Sequence, residues 1–207
     1  MNSVLDLFSA GSETTKLTLL WVFLLLANFP KYQEAIREEV ENAMGSDDLP
    51  TLDHRPECNL SQAFLFEAMR FRSIVPVGVP HKTIVDTELA GHKIKKGVTI
   101  FVSLEACSMD ETWEDPEVFR PERFLDENGK FNPKPNQYFV PFGGGRRVCL
   151  GEKLATANSF LILAGLLHQT KGQLISLPGG PGSADLRPKP NDSNVRPRPY
   201  KLVLTPR

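Results

Sequence analysis

The ten residues from Phe142 to Gly151, Phe-Gly-Gly-Gly-Arg-Arg-Val-Cys-Leu-Gly, constrain this chain more than any other stretch. Three consecutive glycines let the backbone turn sharply and approach a ligand closely. An apolar helical run begins near Leu150, so the positive end of a helix points back at Cys149. The helix start and the two arginines both favour ionised sulfur. The layout presents one thiolate to something anionic and metallic.

Composition sets the outer bounds. The 207 residues are 41% hydrophobic and 24% charged, the make-up of a soluble globular protein long enough for a sizeable core. A net charge of −1 excludes a general nucleic-acid footprint, which needs a marked basic excess. Cys58, Cys107 and Cys149 are too few and too scattered for a disulfide framework, and no CxxC pair suggests zinc. The N-terminus has no basic region before its apolar residues and carries Asp6 and Glu13, unlike a signal peptide. The most apolar run, Leu17 to Ala27, falls short of the roughly 20 residues needed to span a bilayer. It predicts a helix buried on all sides, and no membrane-spanning segment. Prolines cluster between Arg55 and Pro141 and again after Pro178, so much of the second half is irregular or lightly stranded.

In chain order, Asn2 to Ala27 is one long helix, broken by Asn28-Phe29-Pro30, and Pro30 suits the first turn of a second helix. Tyr32, Ala35, Ile36, Val40 and Met44 recur at helical spacing, with Gly45 as the cap. A third helix runs from about Leu60 to Arg72. Strands are expected at Thr83 to Leu89 and Val98 to Ser103, and a small helix near Glu105 to Asp110. From Asp115 to Pro141 the segment has no sustained period, yet Phe119, Phe124, Phe131, Tyr138 and Phe139 need burial, so an ordered meander is expected. A fourth helix, Gly151 to His168, carries Leu154, Ala155, Asn158, Leu161, Ile162, Gly165 and Leu166 on one stripe. Residues Pro178 to Pro199 are loop-like, closed by a strand at Tyr200 to Thr205. The fold class is mainly α with small β-sheets.

Most free cysteines are buried structural residues, but such a residue does not need three glycines and two arginines before it. A phosphate loop also fails, because no Gly-Lys-Ser/Thr follows the glycines and position 148 is valine where a dinucleotide motif needs glycine. The spacing Phe-x-x-Gly-x-Arg-x-Cys-x-Gly, filled by Phe142, Gly145, Arg147, Cys149 and Gly151, resembles the haem-binding loop of the cytochrome P450 monooxygenases. The resemblance implies that the Cys149 thiolate is the axial ligand of haem iron. It further implies that Arg147 pairs with a haem propionate, that loop N–H groups hydrogen-bond the sulfur, and that Phe142 shields it.

Ala10-Gly11-Ser12-Glu13-Thr14-Thr15 is similar to the family's oxygen-activation motif. Glycine inside a helix costs about 1 kcal/mol relative to alanine, so Gly11 implies a group close to the backbone. By the same resemblance, Glu13 relays protons and Thr14 hydrogen-bonds bound dioxygen or water. Glu67-Ala-Met-Arg70 lacks a polar face around it, which predicts a buried pair needing further partners. It resembles the family's Glu-x-x-Arg pair, and Pro121-Glu122-Arg123-Phe124 resembles the signature whose arginine joins it. Glu67, Arg70 and Arg123 are therefore expected to be structural, beneath the haem. His81 matches the site of a second propionate partner, and Val75 to Val79 the substrate side, whose apolar character suits a greasy substrate.

The resemblance is to the C-terminal part of a microsomal-type P450, so residues 1–207 are expected to lack the N-terminal half and membrane anchor. It implies haem b, electrons from NADPH through cytochrome P450 reductase with cytochrome b5 as a further donor, and the cytosolic face of the endoplasmic reticulum. It also implies hydroxylation of a lipophilic small molecule, steroid-like or xenobiotic, with wording similar to the steroid 17- and 21-hydroxylase branch. The alternative is an incomplete fragment that binds haem weakly or not at all and turns over nothing.

Overall fold

Rich in leucine and free of proline, the first segment forms helix α1 (Asn2–Asn28). In the computed structural model, which describes residues 2–45, 48–171, 173–190 and 192–206, its two halves differ. Residues 3–12 are exposed, whereas Leu17, Trp21, Val22 and Leu24 to Ala27 are buried. By length and composition Ser3–Asn28 is apolar enough to cross a membrane. Its second half instead lies in the hydrophobic core.

Pro30, whose missing N–H costs nothing in a first turn, opens α2 (Pro30–Met44). Tyr32, Ile36, Val40 and Met44 face the core four residues apart. Gly45 takes φ +59° and returns its N–H to the Glu41 carbonyl. The same helix buries Gln33 and Arg37, whose amide and guanidinium hold the carbonyls of Leu26, Leu167, Gln173 and Ile175. Thr51 caps a 3-10 turn at Leu52–Glu57 that sequence alone did not predict.

Helix α3 (Asn59–Phe71) is buried from Ser61 onward and is the centre of the molecule. Its own N-cap residue, Cys58, offers no side-chain bond. Glu39 of α2 supplies it instead, accepting from the N–H groups of Leu60 (2.7 Å) and Ser61 (2.8 Å) and from the Ser61 hydroxyl (2.6 Å). A carboxylate at a helix N-terminus satisfies orphan donors and meets the positive end of the dipole. Cap losses cost about 0.5–2 kcal/mol, so Glu39→Ala is expected to lower the thermal midpoint by a few degrees, with Glu39→Gln in between. Calorimetry of the two variants checks this.

The expected strand over Thr83 to Leu89 is corrected to two short pieces. β1 (His81–Lys82) pairs antiparallel with β4 (Thr99–Ile100), and β2 (Thr87–Leu89) with the unforeseen β3 (His92–Ile94). The break has a local cause: Asp86 accepts from the Lys95 ammonium and the Lys96 N–H, pulling the chain out of the ladder. Ala90 and Gly91, both at positive φ, make the tight β2–β3 turn. The small helix is α4 (Leu104–Ser108), capped by the Ser103 hydroxyl.

The meander packs through its aromatics. Phe119, Phe124 and Phe139 are buried, while Phe131 and Tyr138 are half-buried. Phe119 sits edge-on to Phe64 at 5.2 Å between centroids and stacks on Phe29 at the same distance. Phe66 meets Phe131 at 4.8 Å, and Phe124 meets Phe139 at 4.7 Å. Rings at these separations add to area burial.

Helix α5 (Glu152–Gln169) packs against α1, α2 and α3. Its expected stripe is corrected: the buried residues are Thr156, Ser159, Phe160, Leu163, Ala164 and Leu167, whereas Leu154, Asn158 and Ile162 are exposed. The helix is apolar on both sides, so periodicity could not choose between them. The last expected strand is corrected too: β6 (Val203–Pro206) pairs with an unpredicted β5 (Gln173–Ser176), and Tyr200 lies outside it. The described residues are mainly α with three small antiparallel pairs, as the sequence suggested.

Candidate functional site

The loop from Phe142 to Gly151 is closed by its own backbone. Cys149 donates its N–H to the Phe142 carbonyl at 3.0 Å, and Val148 donates to Gly145 at 3.2 Å. Gly143 and Gly145 take φ of +76° and +68°, a region a side chain disfavours. Gly145 begins a 3-10 turn through Arg147, and Gly151 is the N-cap of α5. A Cβ on Gly151 would lie 3.7 Å from the Cys149 sulfur, so the helix start and the thiol are in ordinary contact range.

Cys149 is exposed at the tip of this loop. Around it in sequence, Val148, Leu150 and Leu154 expose apolar side chains, Leu150 to 93%. An exposed thiol among uncovered apolar groups, at a helix N-terminus, is a surface suited to an apolar ligand carrying a metal that accepts a thiolate. Arg146 and Arg147 are also exposed, with no ion-pair partner among the described residues. His81 is exposed on β1, and no described hydrogen bond joins it to the loop.

The cysteines are graded in exposure, Cys149 exposed, Cys107 half-buried and Cys58 buried. Burial holds Cys58 as the thiol, pushing its pKa up to about 12, and its side chain is inaccessible. Because thiolate is the nucleophile, native protein at pH 8 should lose its Cys149 thiol to a disulfide reagent promptly, whereas Cys58 reacts only after unfolding. Thiol counting before and after denaturant checks this, and rapid native labelling of Cys58 would contradict it.

On α1, Gly11 has nothing within 4 Å of the position a Cβ would take, so open space faces the backbone there. Thr14 donates its hydroxyl to the Ala10 carbonyl at 2.6 Å, which leaves its lone pairs as acceptors. Glu13 accepts from Lys16 at 3.1 Å and from Arg196 at 3.0 Å. Its link to Arg196 was not foreseen.

Glu67, Arg70 and Arg123 come together. Arg70 grips Glu67 with a fork, Nε to Oε2 at 2.7 Å and Nη2 to Oε1 at 2.8 Å, both residues fully buried. Its remaining N–H groups donate to the carbonyls of Ser108 and Pro116, each at 2.8 Å, and Val118 at 3.4 Å. Glu67 Oε1 also accepts the Arg120 N–H at 2.9 Å. Arg123 lies with Nε 3.4 Å from Glu67 and donates to the carbonyls of Glu114, Asp115 and Val118. Burial pushes the Arg123 pKa below the usual guanidinium value, and Glu67 opposes that shift. The Trp113 ring covers Arg70 at 5.3 Å. The carbonyls and Trp113 were not legible in advance, since nothing in their sequence marks them as partners.

A family model described as Cytochrome P450 matches residues 1–179. The chain belongs to the cytochrome P450 family. It is 41% identical over 166 residues to cytochrome P450 2L1 of Panulirus argus, covering 80% of this chain and 33% of that protein. Cytochrome P450 2D14 of Bos taurus is 38% identical over 210 residues, with 99% of this chain and 40% of the relative covered. Cytochrome P450 2B19 of Mus musculus is 36% identical over 201 residues, with 97% and 40% covered. The chain thus spans two fifths or less of the length of these P450 relatives.

Proposed function

We propose that residues 1–207 form the C-terminal, thiolate-bearing part of a haem-thiolate monooxygenase that hydroxylates a lipophilic small molecule, steroid-like or xenobiotic. The observation that carries this reading is the exposed Cys149, held by its N–H bond to Phe142 at the start of α5, in a chain of the P450 family. When bound, haem b supplies reductive activation of dioxygen and insertion of one oxygen atom into an unactivated C–H bond.

The chain's residues would divide the remaining work. Cys149 would hold the iron, at the tip of the loop that leads into the N-terminal end of α5. Gly143 and Gly145 permit the turn that puts the thiol at the loop tip. Phe142, half-buried beside it, limits water at the sulfur. Arg147 and His81, exposed and cationic or protonatable, suit the two carboxylates of the macrocycle. Gly11 leaves room along α1, where the Thr14 hydroxyl accepts a hydrogen bond and the Glu13 carboxylate hands protons inward. Val77 and Val79, exposed around the Gly78 turn, present an apolar surface to substrate. Electrons would come from NADPH through cytochrome P450 reductase, with cytochrome b5 as a further donor, at the cytosolic face of the endoplasmic reticulum.

The test is optical. Haem-loaded protein, reduced and exposed to carbon monoxide, is expected to show the strongly red-shifted Soret band of thiolate-ligated iron. A band at the position of histidine-ligated haem, or no haem uptake, would refute the reading for this chain.

A further inference from the structure

Residues after Pro178 have the composition of a loop, yet the described part of them is tied down over long sequence distances. Val195 donates its N–H to the Ile74 carbonyl at 3.1 Å and accepts the Trp21 indole N–H at 2.8 Å. Tyr200 donates its hydroxyl to the Leu20 carbonyl at 2.6 Å. Arg72 holds the Leu186 carbonyl with Nε at 3.0 Å and Nη2 at 2.7 Å. Within the segment, Lys189 donates its N–H to the Arg196 carbonyl at 2.7 Å. The backbone on both sides of Arg196 is therefore anchored to α1 and to the chain after α3.

From that anchored position the Arg196 side chain reaches Glu13, with Nη2 to Oε1 at 3.0 Å, across 183 positions of sequence. Asp192 backs it from the other side, its Oδ2 3.0 Å from Arg196 Nε. Lys16, one turn along α1, holds the second Glu13 oxygen at 3.1 Å but is itself more exposed. Part-exposed ion pairs contribute little by themselves, chiefly because two long side chains must be ordered to form them. Here most of that ordering is done already, since the residues flanking Arg196 are fixed by other bonds.

We propose that Arg196 is a positioning residue for Glu13: the C-terminal segment, through an Asp192–Arg196–Glu13 chain, sets the orientation of the carboxylate that serves the proton-delivery step. The function of that carboxylate rests on the monooxygenase reading above, whereas the coupling between Glu13 and the segment does not. A carboxylate that delivers protons must present an oxygen in one direction, and the single bond from Arg196 Nη2 to Oε1, with Lys16 on Oε2, fixes which way the group faces. The arrangement makes docking of the described residues between 185 and 200 and the geometry of Glu13 a single event.

The experiment has two arms on the full chain. In the first, hydrogen exchange of the Lys189 and Val195 amides is followed in Glu13→Gln, Arg196→Gln, the double variant and Arg196→Lys. Both single variants are expected to speed exchange several-fold, the double no further, and Arg196→Lys to keep the wild-type rate, because residues that open as one unit lose protection together. Wild-type exchange in Glu13→Gln, or additive effects in the double variant, would overturn the coupling. The second arm uses haem-loaded protein that passes the carbon monoxide test, with a 7-alkoxycoumarin as probe and reductase supplied. Arg196→Gln is expected to lower kcat several-fold with KM unchanged and to divert electrons to hydrogen peroxide, with Arg196→Lys restoring product. Unchanged kcat and product yield in Arg196→Gln would overturn the role in the reaction. Failure of the carbon monoxide test instead removes the monooxygenase reading alone, and the exchange arm still decides the coupling.

Discussion

Arg70→Met is expected to cost about 3–5 kcal/mol, the range for breaking a buried ion pair by removing one partner. Against a typical total of about 5–15 kcal/mol, the loss leaves little or no folded protein. The magnitude follows from what remains. Glu67 is left at zero exposure with only the Arg120 N–H and the looser Arg123 contact, while the carbonyls of Ser108 and Pro116 lose their donors. Urea unfolding followed by circular dichroism should show a collapsed midpoint. Glu67→Leu combined with Arg70→Met should recover part of it, since removing both charges is cheaper than stranding one. A single Arg70→Met variant that unfolds at the wild-type midpoint would refute the account of a buried, interdependent network.

Cys149→Ser is the opposite kind of change. The side chain is exposed, and the bond that closes its loop is made by the backbone N–H, which serine keeps. Stability should therefore move by no more than about 0.5 kcal/mol. Serine's hydroxyl does not ionise near neutrality and is a hard donor, so the ligand role is lost entirely. The reduced carbon monoxide spectrum of haem-loaded Cys149→Ser should lack the strongly red-shifted band, while its far-ultraviolet circular dichroism matches wild type. A retained band would show that another residue holds the iron.

The contrast between these two sites explains how much was visible beforehand. Glu-x-x-Arg at positions 67 and 70 is a one-turn spacing in an apolar helix, so the pair and its need for further partners were legible. Arg123 entered only through resemblance. That the companions of Arg70 would be the carbonyls of Ser108, Pro116 and Val118 was not legible, because any residue supplies a carbonyl. Glu39 capping α3 was hidden for the same reason: a glutamate on an amphipathic surface helix looks solvated until the neighbouring helix start is placed against it. The Glu13–Arg196 pair joins a motif to a segment whose composition marks it as loop, and no local pattern connects them.

What the sequence by itself determined is what depends on near neighbours. Proline at the start of α2, Gly45 at its end, the buried second half of α1, and the sharp turn at Gly143 to Gly145 before α5 all follow from backbone preferences within a few residues. The same locality placed Cys149 at a helix start, and its spacing named the family. Only the tertiary structure decided which face of α5 is buried, because that helix is apolar on both sides and its partners α1, α2 and α3 lie far away in sequence. It alone paired β5 with β6, whose short strands carry too weak a period to announce themselves, and it alone brought Arg196 to Glu13. These features are contacts between distant segments, and their free energy exists only once the chain has folded.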